Sequence, residues 1–109
     1  MNFSDYQKAA LQTAIYPGKG NNFTYPTLGL CGEAGEVAEK VKKLIRDKNS
    51  VPDEEFLMQI QKELGDVLWY VAVLADEFGL SLEYIAMMNI AKLQDRMDRG
   101  KLQGNGDER

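Results

Sequence analysis

The chain has no histidine and one cysteine, Cys31. The first absence removes Ser–His and Cys–His nucleophilic pairs, histidine general bases and any zinc site built on imidazole. A carboxylate-bridged di-iron oxidase is disfavoured on the same ground, because it needs Glu-x-x-His. One cysteine leaves no intrachain disulfide and no cluster for zinc or iron–sulfur. A lone cysteine is usually a small core hydrophobe in a reducing compartment, and that is the expectation for Cys31. No long hydrophobic run is present either. The longest, Val67–Ala75, is too short to cross a bilayer. The residues Met1-Asn2-Phe3-Ser4-Asp5 lack the basic and then apolar pattern of a signal peptide. A cytoplasmic setting without membrane attachment is expected. Positive charge is in short supply, with 13 Lys+Arg against 17 Asp+Glu and a net charge of −4. That balance disfavours a nucleic-acid polymer as partner. It leaves room for a small anion whose charge is carried by a metal.

What is present suits one globular domain. The 109 residues are 44% hydrophobic and 28% charged. Four segments carry helical spacing, and no alternating strand pattern stands out. The first spans about Ser4–Ile15, with Phe3, Tyr6, Ala10 and Ala14 recurring every three or four residues. Tyr16-Pro17-Gly18-Lys19-Gly20-Asn21-Asn22 breaks it. The second is expected over Thr27–Arg46. The third runs from Asp53 or Glu54 to Phe78, with Gly79 as its stop. Ser81 caps the fourth, Leu82–Arg99, which stops at Gly100. The domain is therefore set at 1–99. The polar segment 100–109 is expected to be a disordered tail. Short connections make this an all-α, four-helix, antiparallel bundle-like fold.

The second helix carries Glu33-Ala34-Gly35-Glu36 and the third carries Glu63-Leu64-Gly65-Asp66. Each acid-x-x-acid pair lies on one helix face, one turn apart. The apolar stripe of the second helix comprises Leu30, Ala34, Val37, Ala38, Val41, Leu44 and Ile45. Glu33 lies roughly 80° and Glu36 roughly 140° from its centre. On the third helix Glu63 and Asp66 fall at roughly 75° and 135°, on the flank of the same hand. Flanks of one hand meet in an antiparallel pair. Both acid pairs also sit roughly 22 Å from the turn near Ser50. Four carboxylates should thus converge at one level, where they repel unless protonated or neutralised. An all-oxygen, highly charged set suits Mg²⁺ or Mn²⁺. Single acid pairs are common on solvated helices, where Glu36–Lys40 and Glu39–Lys43 have ordinary ion-pair spacing. Two level pairs flanked by Gly32, Gly35 and Gly65 are not ordinary. Mid-helix glycine costs about 1 kcal/mol against alanine, and close approach of a helix or ligand would explain it.

On the fourth helix Asn89, Lys92 and Arg96 share one narrow face beside a core stripe of Leu82, Ala86, Ile90, Leu93 and Met97. An amide, an ammonium and a guanidinium beside an acidic metal site would suit a polyphosphate. Trp69 lies nearly opposite the core stripe of the third helix. A four-helix monomer would leave it in water, so an oligomer with that helix at its centre is expected.

At these residues the sequence resembles the MazG-like nucleotide pyrophosphohydrolases of the all-α NTP pyrophosphatase superfamily. Their mark is E-x-x-E followed by E-x-x-D, here Glu33–Glu36 and Glu63–Asp66 with residues 37–62 between. The surroundings Tyr25-Pro26-Thr27-Leu28-Gly29-Leu30, Val41-Lys42-Lys43 and Val67-Leu68-Trp69-Tyr70 agree, as does Asn89-x-x-Lys92-Leu93-x-x-Arg96. The resemblance implies Mg²⁺-dependent cleavage of a (d)NTP into the monophosphate and pyrophosphate. It implies Glu33, Glu36, Glu63 and Asp66 as metal ligands, and Asn89, Lys92 and Arg96 on sugar or phosphate. It also implies a homodimer or homotetramer. The aromatic-and-histidine pocket of the dCTP-cleaving relatives is missing, so their base preference is not carried over. The alternatives are a phosphoribosyl-ATP or dUTP pyrophosphatase, or a non-catalytic metal-binding oligomer.

Overall fold

The computed structural model describes residues 1–109. It contains four helices and no strand: α1 Phe3–Gln12, α2 Thr24–Lys48, α3 Glu54–Glu77 and α4 Leu82–Asp98. Three of them begin on side-chain caps, that of α1 being Asn2 rather than the Ser4 or Asp5 expected from sequence. Asn2 accepts the Asp5 N–H, Asp53 that of Phe56 and Ser81 that of Tyr84. α3 ends as its glycine dictates. Gly79 takes φ 69°, and the Leu80 and Gly79 N–H groups reach the carbonyls of Ala75 and Asp76.

Three boundaries differ from expectation by two residues or more. α1 stops at Gln12 rather than Ile15, because the next residues turn Ala14 and Tyr16 into the core. α2 begins at Thr24, ahead of Thr27, since a proline in the first turn forfeits no helical hydrogen bond. It runs on to Lys48 and closes on Asn49 in the left-handed region.

α2 and α3 form a long hairpin, and α2 packs on α3 alone. α1 and α4 pack on α3 and on each other. The buried core is correspondingly small and one-sided: Ala10, Ala14, Tyr16, Ala72, Val73 and Leu82. Gln7 locks this end. Its amide donates to the carbonyls of Ala72 (3.0 Å) and Leu80 (3.1 Å) and accepts the Leu82 N–H (3.1 Å).

The apolar stripes read from sequence are only partly covered. On α2 Leu44 is buried while Val41 and Ile45 are exposed, since no third helix lies over that half of the hairpin. On α4 Leu82 is buried while Ile90, Leu93 and Met97 are exposed. The radius of gyration is 16.7 Å, against about 13 Å for a compact domain of this length. Two expectations are corrected. Cys31 is exposed, not a core residue. Trp69 is half-buried, because α1 lies against that face: its indole N–H donates to Thr13 Oγ1 at 2.8 Å, and its ring meets Tyr70 edge-on.

Candidate metal centre

The entry to α2 is set from the far end of α3. Glu77 accepts the Tyr16 hydroxyl and the N–H groups of Gly20 (2.8 Å) and Asn22 (3.2 Å). These bonds hold its carboxyl below the usual range, the Tyr16 bond most of all. Asn22 Oδ1 in turn accepts the Tyr25 N–H in the first turn of α2 (3.1 Å). Tyr25 stacks on Tyr16 with ring centroids 4.8 Å apart, and Phe23 stacks on Phe78 at 5.2 Å. In the second turn of α2, Gly29 lies under Tyr70 of α3. A Cβ at Gly29 would stand 2.7 Å from Tyr70 Cδ1 and closer still to Cε1 and Cζ. So the close helix approach falls at Gly29. Gly32, Gly35 and Gly65 face open space within the chain, and no neighbouring helix accounts for them.

With α2 and α3 so registered, Glu33, Glu63 and Asp66 converge. One carboxylate oxygen from each lies within 4.8 Å of the other two. Glu33 and Glu63 are half-buried and Asp66 is exposed. Glu36, one turn along α2, stands outside this trio. Its charge still acts on Glu33. The Glu33 carboxyl is raised above its ordinary value by burial first, then by the charge of Asp66, hydrogen bonding to Glu63, and the charges of Glu63 and Glu36. No cation answers this charge: none of the chain's ion pairs includes Glu33, Glu36, Glu63 or Asp66. Glu39 is the ordinary surface acid here, paired with Lys42 and Lys43. The Glu36–Lys40 spacing gives no such pair.

The donor set fits a small hard cation. Oxygens around an ion of Mg²⁺ size stand roughly 3 Å apart as cis neighbours and about 4.2 Å as trans ones. The trio, with one oxygen of each acid within 4.8 Å of the others, is set wider than that, and its side chains would close in on a bound ion.

The charge of these acids also reaches two phenols outside the expected site. The Tyr70 hydroxyl is held protonated by burial and then by Tyr25, Glu33 and Asp66. That of Tyr6, on α1, is held protonated by burial and then by Asp66. Tyr70 was legible in principle, since Glu63, Asp66 and Tyr70 fall at i, i+3 and i+7 on one face. Tyr6 was not, because only the packing of α1 brings it there. No hydrogen bond or ion pair joins Asn89, Lys92 or Arg96 to the acids within the chain. Asn89 and Lys92 line a separate groove with Ile85, Met88 and Asp107. Arg96 is buried against Asp107.

Residues 23–100 match the MazG nucleotide pyrophosphohydrolase domain. Gene 37 protein of Mycobacterium phage L5 is 50% identical over 114 residues, covering 100% of both chains. Uncharacterized protein YvdC of Bacillus subtilis (strain 168) is 36% identical over 77 residues, covering 63% of this chain and 70% of that protein. No solved structure matches.

Proposed function

The chain belongs to the MazG nucleotide pyrophosphohydrolase family, and from that premise we propose that it hydrolyses (d)NTPs to (d)NMP and pyrophosphate with a divalent cation, Mg²⁺ or Mn²⁺. One observation carries the reading: three carboxylates from two helices meet within 4.8 Å with no cation of the chain to balance them. Glu33, Glu63 and Asp66 would hold the ion, and Glu36 would join from the next turn, directly or through a water. The bound ion supplies neutralisation of phosphate oxygens and a lowered pKa of water, so a site without histidine suffices. Water attacks the α-phosphorus, the bond to the bridging oxygen breaks, and pyrophosphate departs. The four carboxylates would set the ion's place, and one of the glutamates would also orient the water. Tyr70 and Tyr6 feel the acids' charge and would offer neutral hydroxyls to a bound substrate.

Lys92, Arg96 and Asn89 would balance the phosphates or hold the sugar. Within one chain Lys92 and Arg96 are bonded to Asp107 rather than to the acids, so α4 of a second copy or a rearranged α4 would bring them to a shared phosphate chain. Exposed Val41, Ile45, Ile90, Leu93 and Met97, with the large radius of gyration, favour a homo-oligomer. The test is a panel of (d)NTPs, phosphoribosyl-ATP and dUTP with pyrophosphate detection, in Mg²⁺ and in EDTA. Mg²⁺-dependent release from several (d)NTPs is expected. Metal binding with no turnover of any substrate would refute it.

A further inference from the structure

The segment after α4 turns back on its own helix. Gly100, Gly104 and Gly106 take φ values of 70°, 134° and 85°, a region side chains disfavour, and the chain reverses there. Arg109 holds the reversed segment together by donating to the carbonyls of Lys101 (3.1 Å), Leu102 (2.8 Å) and Gly106 (2.6 Å). Asp107 is thereby placed over the cationic face of α4. Its carboxylate accepts from Lys92 Nζ at 2.8 Å and Arg96 Nη2 at 3.0 Å, and its backbone carbonyl also accepts from Arg96 Nη2. Arg96 is only 5% exposed, so its charge is withdrawn from solvent and spent on this one residue. The groove beside it, about 380 Å³, has Asn89 and Lys92 on one wall and Asp107 on the other.

A carboxylate bound by an ammonium and a guanidinium stands as a phosphate oxygen would stand. We propose that residues 101–109 form an internal strap in which Asp107 occupies the anion site of Asn89, Lys92 and Arg96, so that a polyphosphate chain binds there only by displacing it. This rests on the assignment of those three residues to the substrate's phosphates. It adds that the free chain is self-blocked at that position. An exposed carboxylate is a weak competitor, and pairs of this kind are worth about 1 kcal/mol or less. The strap therefore tunes affinity rather than abolishing it.

The experiment measures binding of inorganic tripolyphosphate to the full chain by calorimetry in EDTA, where the acidic trio holds no metal and no turnover occurs. Asp107→Asn and Asp107→Ala should each bind roughly fivefold more tightly than the unsubstituted chain. Adding Lys92→Ala to Asp107→Asn should remove that gain. Equal affinity of the Asp107 variants and the unsubstituted chain, binding by none of them, or a gain that survives Lys92→Ala overturns the strap. Since no hydrolysis is read, a chain that cleaves no nucleotide still decides the matter, and the two proposals fail separately.

Discussion

The ring of Tyr70 lies across Gly29 so closely that the α2–α3 spacing at the acidic site depends on one missing Cβ. Glu33 is one turn beyond Gly29, and Asp66 one turn before Tyr70. The carboxylates from the two helices meet because this contact sets how near the helices come. Gly29→Ala must push Tyr70 aside or splay the hairpin. Overpacking of this kind costs about 1–3 kcal/mol. A lower unfolding temperature and weaker Mg²⁺ binding are expected. Tyr70→Leu in the same chain should restore much of the stability, and thermal melts of the single and double variants check it. Gly65→Ala, which meets open space, should not destabilise the chain.

Removing a metal ligand should separate activity from fold. Glu63→Gln or Asp66→Asn is expected to lower pyrophosphate release by at least about a hundredfold, since even outer-sphere losses cost 10- to 100-fold. Far-UV circular dichroism should stay unchanged, because neither side chain makes an ion pair within the chain. Glu36→Gln is predicted to abolish turnover as well. Near-normal release by any of the three would remove that residue from its assigned role.

The raised Glu33 carboxyl makes stability depend on pH in a defined direction. A carboxyl that binds its proton more tightly when folded stabilises the fold at pH below its unfolded value near 4.5, and that contribution is lost as pH rises through the raised value. Without metal, the chain should therefore lose stability on this account as pH climbs past 4.5. Mg²⁺ displaces the proton, so it should restore that loss at neutral pH and bind more weakly in acid. Glu33→Gln should flatten the metal-free profile. Melting temperatures with EDTA and with Mg²⁺, taken across this range, show whether the slopes have these signs.

Glu77 works in the opposite sense. Its carboxyl is lowered by Tyr16 and by the N–H groups of Gly20 and Asn22. The stability it contributes is present above about 4.5 and lost as pH falls through its lower folded value. Glu77→Gln should loosen residues 16–22 and the start of α2 at neutral pH, and should blunt acid unfolding. Hydrogen exchange at the Gly20 and Asn22 amides reads this directly, and unchanged protection in the variant would count against the anchor.

The trio's phenols give a further test. Tyr6→Phe and Tyr70→Phe keep the rings and remove the hydroxyls beside Asp66 and Glu33. A change of pyrophosphate release well under tenfold with unaltered melting temperature is expected if they only border the site. A loss as large as that of Glu63→Gln would promote either hydroxyl to a reacting group.

Local structure and the chemistry on offer follow from short stretches of chain. The side-chain caps at Asp53 and Ser81, the stop at Gly79, and helical spacing throughout are short-range effects that need no tertiary partner. The pairing of acids on one face of each of two helices is likewise a matter of 3.6-residue periodicity. Matched flanks and depths predict that Glu33, Glu36, Glu63 and Asp66 converge; the hairpin brings Glu33, Glu63 and Asp66 within 4.8 Å, and Glu36 stands outside because it lies one turn further along α2. Tertiary structure alone decided the rest. Which glycine is the contact point depends on where Tyr70 lands, and periodicity does not record that. The cover over Trp69 comes from α1, whose docking follows from Gln7 reaching backbone groups some 65–75 residues away. The withdrawal of Lys92 and Arg96 to Asp107 follows from three glycine turns whose direction emerges only when the chain is folded against α4. Helix formation is local, whereas the choice of partner for each face is a competition among all the surfaces the chain brings together.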